Sequence, residues 1–231
     1  MKTLVLIPAR GGSKGLAAKN IRSFNGTPLL VRTMQFAQNH LSEHTICLST
    51  DSEEYVQLVS EHTSYETPFL RPAEFATDTS SLKDVILHAL EQYRKEGKEF
   101  DNILVLQCTS PLRSIESVQQ AMEIYTPQID MVASVNEAKS NPYFVQRTIN
   151  EEGELDPLMK GASYTSRQEC PIVYELNGVL FIINVKSLLA GPIAQFEHVK
   201  PIVTTQEESV DIDDEMDFLL AEIIDRKVNG W

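Results

Sequence analysis

The sequence has little cysteine and no long apolar run, and both absences narrow the classes of protein that it can encode. Three cysteines in 231 residues, Cys47, Cys108 and Cys170, are too few and too widely spaced for a disulfide framework or a zinc–thiolate site. No apolar stretch approaches the length that crosses a bilayer, and residues 4–7 are too short for the apolar core of a secretion signal. We therefore expect a globular, cytoplasmic protein with no membrane partner.

Charge of one sign is missing from two segments. Residues 1–42 contain six Lys or Arg and no Asp or Glu, whereas residues 201–225 contain nine Asp or Glu and no Lys or Arg. Since the whole chain carries −13 and the first segment +6, the rest of the chain carries −19. Such an acidic protein is a poor partner for nucleic acid, but a cationic pocket within it suits a small, highly charged anion. The acidic segment alone is also typical of a solvated surface.

Apolar strands alternate with amphipathic helices over the first 136 residues. The strands are predicted at "TLVLIPA", "TICLST", "NILVLQ" and "DMVASV". The first helix is predicted with Thr27 as its cap and Pro28 at its first position, the second with Asp51 or a neighbour as its cap, and the third with a capping box at Ser81 and Asp84. Continuously apolar strands predict an α/β, Rossmann-like fold: a mostly parallel sheet with helices on both faces.

This alternation stops between residues 137 and 172, where a polar hairpin is predicted around Gly153. Strand patterns return at "GVLFIINV" and "HVKPIVT", and a last helix is predicted whose Met216, Leu220 and Ile223 share a face. The pattern divides the chain into a nucleotide-binding domain, residues 1–136 and 173–231, and an inserted arm, residues 137–172.

The first strand delivers a loop, "IPARGGSKGLAAKN", that combines glycines with cations. Gly11, Gly12 and Gly15 let backbone N–H groups approach phosphate oxygens, and Arg10, Lys14 and Lys19 supply charge. The loop matches neither the Walker A nor the dinucleotide fingerprint. A tight turn is the alternative interpretation, but cations without acids favour phosphate binding.

Two further stretches hold polar side chains where a ligand of an open α/β sheet binds. "LQCTSPLR" places Gln107, Thr109, Ser110 and Arg113 directly after a buried strand, where they could read a base edge or a sugar, although they could equally turn the chain.

"VDIDDEMDF" holds Asp211 and Asp213 two residues apart. In an extended segment, both carboxylates point to one side and could share a Mg²⁺ ion. The alternative is that the acids only favour the start of the last helix through its dipole.

Six motifs occur together in order: "IPARGGSKGLAAKNI", "TDTSS", "LQCTSPLR", "SRQECP", "LNG" and "VDIDDEMDF". In this order and spacing they closely resemble the acylneuraminate cytidylyltransferase family, over essentially the whole chain. The resemblance implies transfer of CMP from CTP to the anomeric hydroxyl of a nine-carbon keto sugar acid, with release of pyrophosphate. It also implies a fold like that of the nucleotide-diphospho-sugar transferases, a Mg²⁺ cofactor, and a homodimer in which the arm crosses to the partner.

The resemblance also implies roles for individual residues. The nucleotide site takes Arg10, Gly12, Ser13, Lys19, Asn20, Arg71 and Ser80. The sugar-acid site takes Gln107, Thr109, Ser110 and Asn177, with Lys139 and Arg167 contributed by the neighbouring subunit. Asp211 and Asp213 match the metal carboxylates and, with Arg10 and Lys19, form the catalytic group.

The sequence departs from the family at Cys108, where proline commonly precedes Thr-Ser-Pro-Leu-Arg, so the role of Gln107 beside it stays open. A paired histidine is not near Cys108 in the sequence, and a small buried side chain is the better interpretation than a nucleophile. Other functions stay possible at this point. They are a metal-dependent glycosyltransferase with Asp211 and Asp213 as its D-x-D pair, a non-catalytic nucleotide-binding module, and a related enzyme acting on an eight-carbon keto acid.

Overall fold

A computed structural model describes residues 1–12, 15–77, 79–161 and 163–229 of the chain. The strands are β1 Thr3–Pro8, β2 Ser23–Phe24, β3 Thr27–Pro28, β4 Thr45–Ser49, β5 Asn102–Val105, β6 Met131–Glu137, β7 Arg147–Ile149, β8 Leu155–Pro157, β9 Tyr174–Asn184 and β10 Val199–Val203. The α-helices are α1 Leu29–His40, α2 Glu53–His62, α3 Leu82–Lys95, α4 Ile115–Ile124, α5 Val185–Ala190 and α6 Glu215–Asn229.

A mostly parallel sheet forms the centre of the molecule, as the apolar strands predict. Its strand order is β10-β6-β9-β5-β1-β4. β1 pairs in parallel with β4 and β5, and β10 pairs in parallel with β6, whereas β9 runs antiparallel to both β5 and β6. The carboxyl ends of β1, β4 and β5 therefore meet at one edge of the sheet, where an open α/β sheet binds its ligand.

Helices cover both faces of this sheet. Alternate residues of β1 enter different cores: Val5 packs with residues of α1, α2 and α4, whereas Leu4 packs with residues of α3 and α5. Both side chains are fully buried. A strand that is apolar on both sides is thus explained by two helical layers, and the predicted fold class is confirmed.

The first helix begins differently from the prediction, whereas the second is capped, as predicted, by Asp51 or a neighbour. Pro28 has an extended conformation and precedes the first helical residue, because Thr27 and Pro28 pair with β2 in a short hairpin instead of starting the helix. Ser52 caps α2 by accepting a hydrogen bond from the Tyr55 N–H, and the neighbouring Asp51 is left to make another contact. The predicted capping box of Ser81 and Asp84 is present at the start of α3.

The face of α6 that carries Met216, Leu220 and Ile223 is not its buried face. Met216, Leu220 and Ile223 are 72%, 48% and 61% exposed. Phe218 and Ala221 are buried instead, in a third core cluster that includes Phe24, Leu29 and Ile212. The apolar face of the pattern is therefore not the buried one, because α6 packs against the β2–β3 hairpin, which the helical pattern by itself does not show.

The predicted hairpin around Gly153 is present, as β7 pairs antiparallel with β8 in a sheet of their own. Gly153 has φ +82°, a left-handed conformation that favours glycine at this turn. The role of residues 137–172 as a dimer contact stays a prediction. Within the described residues, we find no helix that is both long and apolar enough to cross a membrane.

Candidate active site

A cleft of about 410 Å³ opens at the carboxyl ends of β1 and β5. Its lining combines residues of the glycine loop, the segment after β5 and the acidic segment before α6. They are Pro8, Arg10, Gly15, Lys19, Asn20, Gln107, Cys108, Thr109 and Asp213. A larger cleft of about 680 Å³ lies between α6 and residues 111–114 and 205–210. The predicted polar residues converge on the smaller one, so we place the candidate site there.

Lys19 joins the basic and acidic segments. Its Nζ donates a hydrogen bond to the Ile212 carbonyl oxygen and lies 3.2 Å from Asp213 Oδ1. The Lys19 side chain is only 13% exposed, whereas that of Asp213 is 81% exposed. The predicted convergence of the two oppositely charged segments therefore exists within one chain.

Gly15 brings the backbones of these two segments into direct contact. A Cβ atom built on Gly15 would lie 2.5 Å from the Asp213 carbonyl oxygen, which is closer than a side chain tolerates. The glycine is thus required by the approach of the acidic segment, a reason that differs from the phosphate approach for which the sequence singled it out.

Asp211 and Asp213 flank a fully buried residue, Ile212, whose N–H donates to the Thr109 carbonyl oxygen at 2.9 Å. The Asp211 Oδ1 atom is buried and finds no hydrogen-bond partner among the described residues. Burial raises the pKa of Asp211, a hydrogen bond with Thr109 opposes that shift, and the charge of Asp213 adds to it.

An unpartnered, buried carboxylate oxygen suits a hard cation, so the residues fit the predicted metal pair. Within the described residues, no group of three or more His, Cys, Asp or Glu could hold a metal ion. A metal held by Asp211 and Asp213 would therefore complete its shell with phosphate oxygens and water, as Mg²⁺ commonly does in nucleotide sites.

The rest of the predicted nucleotide group divides between the cleft and its surroundings. Arg10 and Asn20 line the cleft, and the Asn20 amide donates to the Arg10 carbonyl oxygen at 3.3 Å. Gly12 has φ +81°, which favours glycine at that position. Ser13 and Lys14 lie outside the described residues.

Arg71 and Ser80 are placed beyond the residues that line the cleft. Arg71 is 4% exposed, and its Nη2 lies 3.8 Å from the Oδ1 of Asp51. The Ser80 hydroxyl donates to the Glu74 carbonyl oxygen and accepts from the Thr77 N–H, so it holds its own turn together. Their assignment to the nucleotide site stays a prediction.

The segment after β5 contains both cleft residues and structural ones. Gln107 and Thr109 line the cleft, whereas Ser110 is fully buried. Arg113 donates to the carbonyl oxygens of Gln107 and Val179, at 2.6 and 2.8 Å, and burial lowers its pKa to about 10. Arg113 therefore neither binds a ligand from the cleft nor lies in solvent. It fixes the backbone at which Gln107 leaves the strand.

The structure does not bring the remaining sugar-acid residues to the described lining of the cleft. Asn177 is buried, and its amide donates to the hydroxyls of Thr204 and Ser209 at 2.7 and 2.9 Å. Its amide thus has partners within the fold, and its assignment to the sugar-acid site stays a prediction. Lys139 lines the larger cleft, and Arg167 lies in a short turn of the inserted arm. Their predicted contribution to a neighbouring subunit stays untested by a single chain.

Cys108 is a buried side chain at the back of the cleft. It is 2% exposed, and burial raises the pKa of its thiol to about 11, which keeps it protonated at neutral pH. A protonated thiol is a poor nucleophile, so the structural interpretation of Cys108 is the better one.

Sequence reasoning missed one polar residue at the edge of the sheet. Asp51 was considered only as a helix cap, but its Oδ1 accepts a hydrogen bond from the Gly11 N–H at 2.8 Å. The signal that could have found it is its position directly after β4, where acids and amides of α/β folds face the ligand.

Comparison with known proteins identifies the chain. A family model described as cytidylyltransferase matches residues 4–213. CMP-N,N'-diacetyllegionaminic acid synthase from Legionella pneumophila is 33% identical over 96% of this chain and 95% of its own length. N-acylneuraminate cytidylyltransferase from Escherichia coli O18:K1:H7 is 33% identical over 99% of this chain, which spans 53% of that longer protein. Pseudaminic acid cytidylyltransferase from Campylobacter jejuni is 29% identical over 99% of this chain and 98% of its own length.

Two solved structures share the fold. A CMP:2-keto-3-deoxy-manno-octonic acid synthetase complexed with CTP has a TM-score of 0.68 at 15% identity, and the match covers 100% of both chains. A 4-diphosphocytidyl-2C-methyl-D-erythritol synthase from Anaerococcus prevotii has a TM-score of 0.63 at 13% identity, over 96% of this chain and 97% of that one. The resemblance read from the six motifs is confirmed: the chain belongs to the cytidylyltransferase family, in the group that includes the acylneuraminate cytidylyltransferases.

Proposed function

We propose that this enzyme transfers CMP from CTP to the anomeric hydroxyl of a nine-carbon 2-keto sugar acid and releases pyrophosphate. The observation that carries the proposal is the contact of Lys19 with Ile212 and Asp213, which places a cation and a carboxylate at the mouth of one cleft. The names of the relatives from Legionella, Escherichia and Campylobacter, which refer to legionaminic, acylneuraminic and pseudaminic acids, support the substrate class.

The chemistry requires the sugar hydroxyl oxygen to attack the α-phosphorus while the bond to the pyrophosphate oxygen breaks. CTP brings about four negative charges, and more charge collects on the leaving pyrophosphate. Arg10 and Lys19 line the cleft as cations and would neutralise the leaving group. The buried Asn20 holds the Arg10 backbone in place, so the cation is positioned before the nucleotide arrives.

Asp211 and Asp213 would hold the metal ion of this reaction. A metal ion held there would supply positive charge and so lower the negative charge that the attacking hydroxyl meets. Lys19 has a separate task, because a phosphate oxygen can replace Asp213 as its hydrogen-bond acceptor. We also propose that two chains associate through residues 137–172, which would bring Lys139 and Arg167 to the neighbouring cleft.

The alternatives make different demands on the molecule. A glycosyltransferase would consume a nucleotide sugar, and neither the cationic loop beside β1 nor the relatives favour it. A non-catalytic module would bind CTP without releasing pyrophosphate. An enzyme for an eight-carbon acid shares the fold with this chain at only 15% identity, a level that supports architecture and not substrate.

The test is the release of pyrophosphate from each of the four nucleoside triphosphates, against nine-carbon and eight-carbon keto sugar acids, with and without Mg²⁺. We expect release only with CTP, a nine-carbon acid and Mg²⁺ together. Turnover with an eight-carbon acid alone, or none with any acid, would remove the proposal.

Substitutions then test the site. Asp211→Asn and Asp213→Asn should lose Mg²⁺-dependent turnover while the chain stays folded. Lys19→Ala should lower kcat by roughly 100-fold, the usual effect of losing one donor to developing charge. Glu61→Gln is the control, because it removes an exposed carboxylate of α2 outside the cleft lining. Wild-type turnover in both aspartate variants would contradict the metal assignment.

A further inference from the structure

We propose that Asp51 is a positioning residue of the nucleotide site, through which the glycine loop and Arg71 are held to each other. The inference rests on the proposed function, and its geometry is direct. One carboxylate oxygen, Asp51 Oδ1, accepts the Gly11 N–H at 2.8 Å and lies 3.8 Å from Arg71 Nη2. A single atom thus contacts two segments that are 60 residues apart in the sequence.

The local structure leaves the Asp51 carboxylate available for this contact. Ser52 caps α2, so the carboxylate is not consumed by the helix. The Thr50 carbonyl oxygen accepts the Arg71 N–H at 2.7 Å, which anchors the backbone of Arg71 next to Asp51. The three residues that follow β4 therefore have separate roles. Thr50 anchors the Arg71 backbone, Asp51 contacts the loop, and Ser52 caps the helix.

A side chain at position 11 would be crowded by the residues that follow β4. A Cβ atom on Gly11 would lie 3.3 Å from the Ser52 Cβ atom and 3.5 Å from Asp51 Oδ2. The added atom would be crowded by Ser52 and in ordinary contact with Asp51, so the loop backbone passes close to both residues. This closeness fixes the direction of the loop as it leaves β1, and Arg10 directly precedes the contact.

Charge gives Asp51 a second task. Arg71 is buried, and burial lowers the pKa of its guanidinium. The carboxylate of Asp51 opposes this lowering of the pKa, whereas the nearby cation Arg10 adds to it. Without Asp51, Arg71 would lose the carboxylate that offsets the positive charge of the nearby Arg10. Asp51 therefore allows both cations to stay near the same nucleotide.

Arg71 keeps donor capacity for a ligand despite this partner. Its contact with Asp51 is an ion pair at 3.8 Å, longer than a hydrogen bond, and its Nε is buried with no hydrogen-bond partner among the described residues. A buried donor without a partner is costly, and a carbonyl or phosphate oxygen of the nucleotide would satisfy it. Asp51 orients this donor and does not replace the ligand, which is why we assign it a positioning role.

The test is direct binding of CTP to the full chain, by calorimetry without a sugar acid, followed by steady-state kinetics. Asp51→Ala should weaken CTP binding at least about tenfold, because it removes both the loop contact and the charge. Asp51→Asn keeps an oxygen for the Gly11 N–H and removes only the charge, so it should lie between wild type and Asp51→Ala. In turnover, KM for CTP should rise while KM for the sugar acid stays within about twofold of wild type.

Glu54→Gln is the matched control, since it removes one negative charge from an exposed position of α2 three residues away. All variants are compared below their own melting temperatures, and Asp51→Asn serves where Asp51→Ala does not fold. Unchanged CTP affinity in folded Asp51→Asn and Asp51→Ala would overturn the proposal, as would an equal rise of both KM values. Because binding is measured without a sugar acid, this result is separate from a failure to find the acceptor.

Discussion

Replacement of Gly15 by alanine tests whether the apposition of loop and acidic segment carries the activity. The new Cβ atom would lie 2.5 Å from the Asp213 carbonyl oxygen, and it must move by about 0.5 Å merely to reach the 3.0 Å below which Cβ contacts are essentially never seen. Both atoms belong to backbones, so no side-chain rotation can relieve the contact. The loop and the acidic segment must separate instead.

The consequence for the site follows from its distances. Lys19 Nζ lies 3.2 Å from Asp213 Oδ1, near the upper limit of a hydrogen bond, so a shift of this size breaks the contact. Misplacement of catalytic groups by up to 1 Å costs as much as about 100-fold in rate, and we expect Gly15→Ala to lose roughly 10- to 100-fold in kcat. Overpacking should also cost about 1–3 kcal/mol of stability, which leaves a chain of this size folded.

The assay pairs pyrophosphate release with thermal unfolding. Gly97→Ala is the control, because Gly97 has φ +75° at the end of α3 and no described atom within 4 Å of its added Cβ. The control should lose about 1 kcal/mol through backbone strain and keep wild-type turnover. If Gly15→Ala keeps wild-type kcat while losing no more stability than Gly97→Ala, the close approach does not matter and the reasoning fails.

Two further predictions concern stability and reactivity. Burial would raise the pKa of Glu208, but hydrogen bonds from neighbours that include Ser114 outweigh the effect of burial and lower the pKa. The Glu208 carboxylate therefore stabilises the folded chain fully at neutral pH, and this stabilisation is lost as pH falls through the folded pKa. In urea unfolding, Glu208→Gln should cost about 1.5–3 kcal/mol at pH 7 and progressively less below about pH 4, and a cost independent of pH would contradict this. Burial raises the thiol pKa of Cys47 to about 12 and that of Cys108 to about 11. At pH 8, mass spectrometry should therefore find iodoacetamide on Cys170 alone in the native chain and on all three cysteines after unfolding. Rapid labelling of Cys108 in the native chain would contradict its burial.

The fold could be predicted because its signals are local. Strands that are apolar on both faces require two covering layers, and the capping box of α3 is written in four consecutive residues. The buried face of α6 could not be predicted in this way. Phe218 is buried and Met216 is not, because the ring of Phe24, from a hairpin near the other end of the chain, packs against Phe218 with ring centroids 5.7 Å apart.

The candidate site shows the same limit at the level of single side chains. Gln107 and Arg113 are polar residues that follow the same strand, and their sequence context does not show which of them lines the cleft. Gln107 lines the cleft, whereas Arg113 finds two backbone carbonyl oxygens and becomes part of the fold. Which polar residue serves a ligand depends on whether the fold has already supplied its partners, and those partners come from distant segments.

The acidic segment was open to two interpretations, a solvated helix start or a ligand site, and the contacts divide it between them. Asp214 accepts from the N–H groups of Met216 and Asp217 and so supports the start of α6, and Glu215 pairs with Arg22 at 2.6 Å. Asp211 keeps a buried oxygen with no hydrogen-bond partner in the described part of the chain. The helix-start acids have partners within the fold that a ligand would have to displace, whereas the described residues supply no partner for the Asp211 oxygen. That difference, and not the number of acids, is what favours the acidic segment as the place where a cation meets the nucleotide.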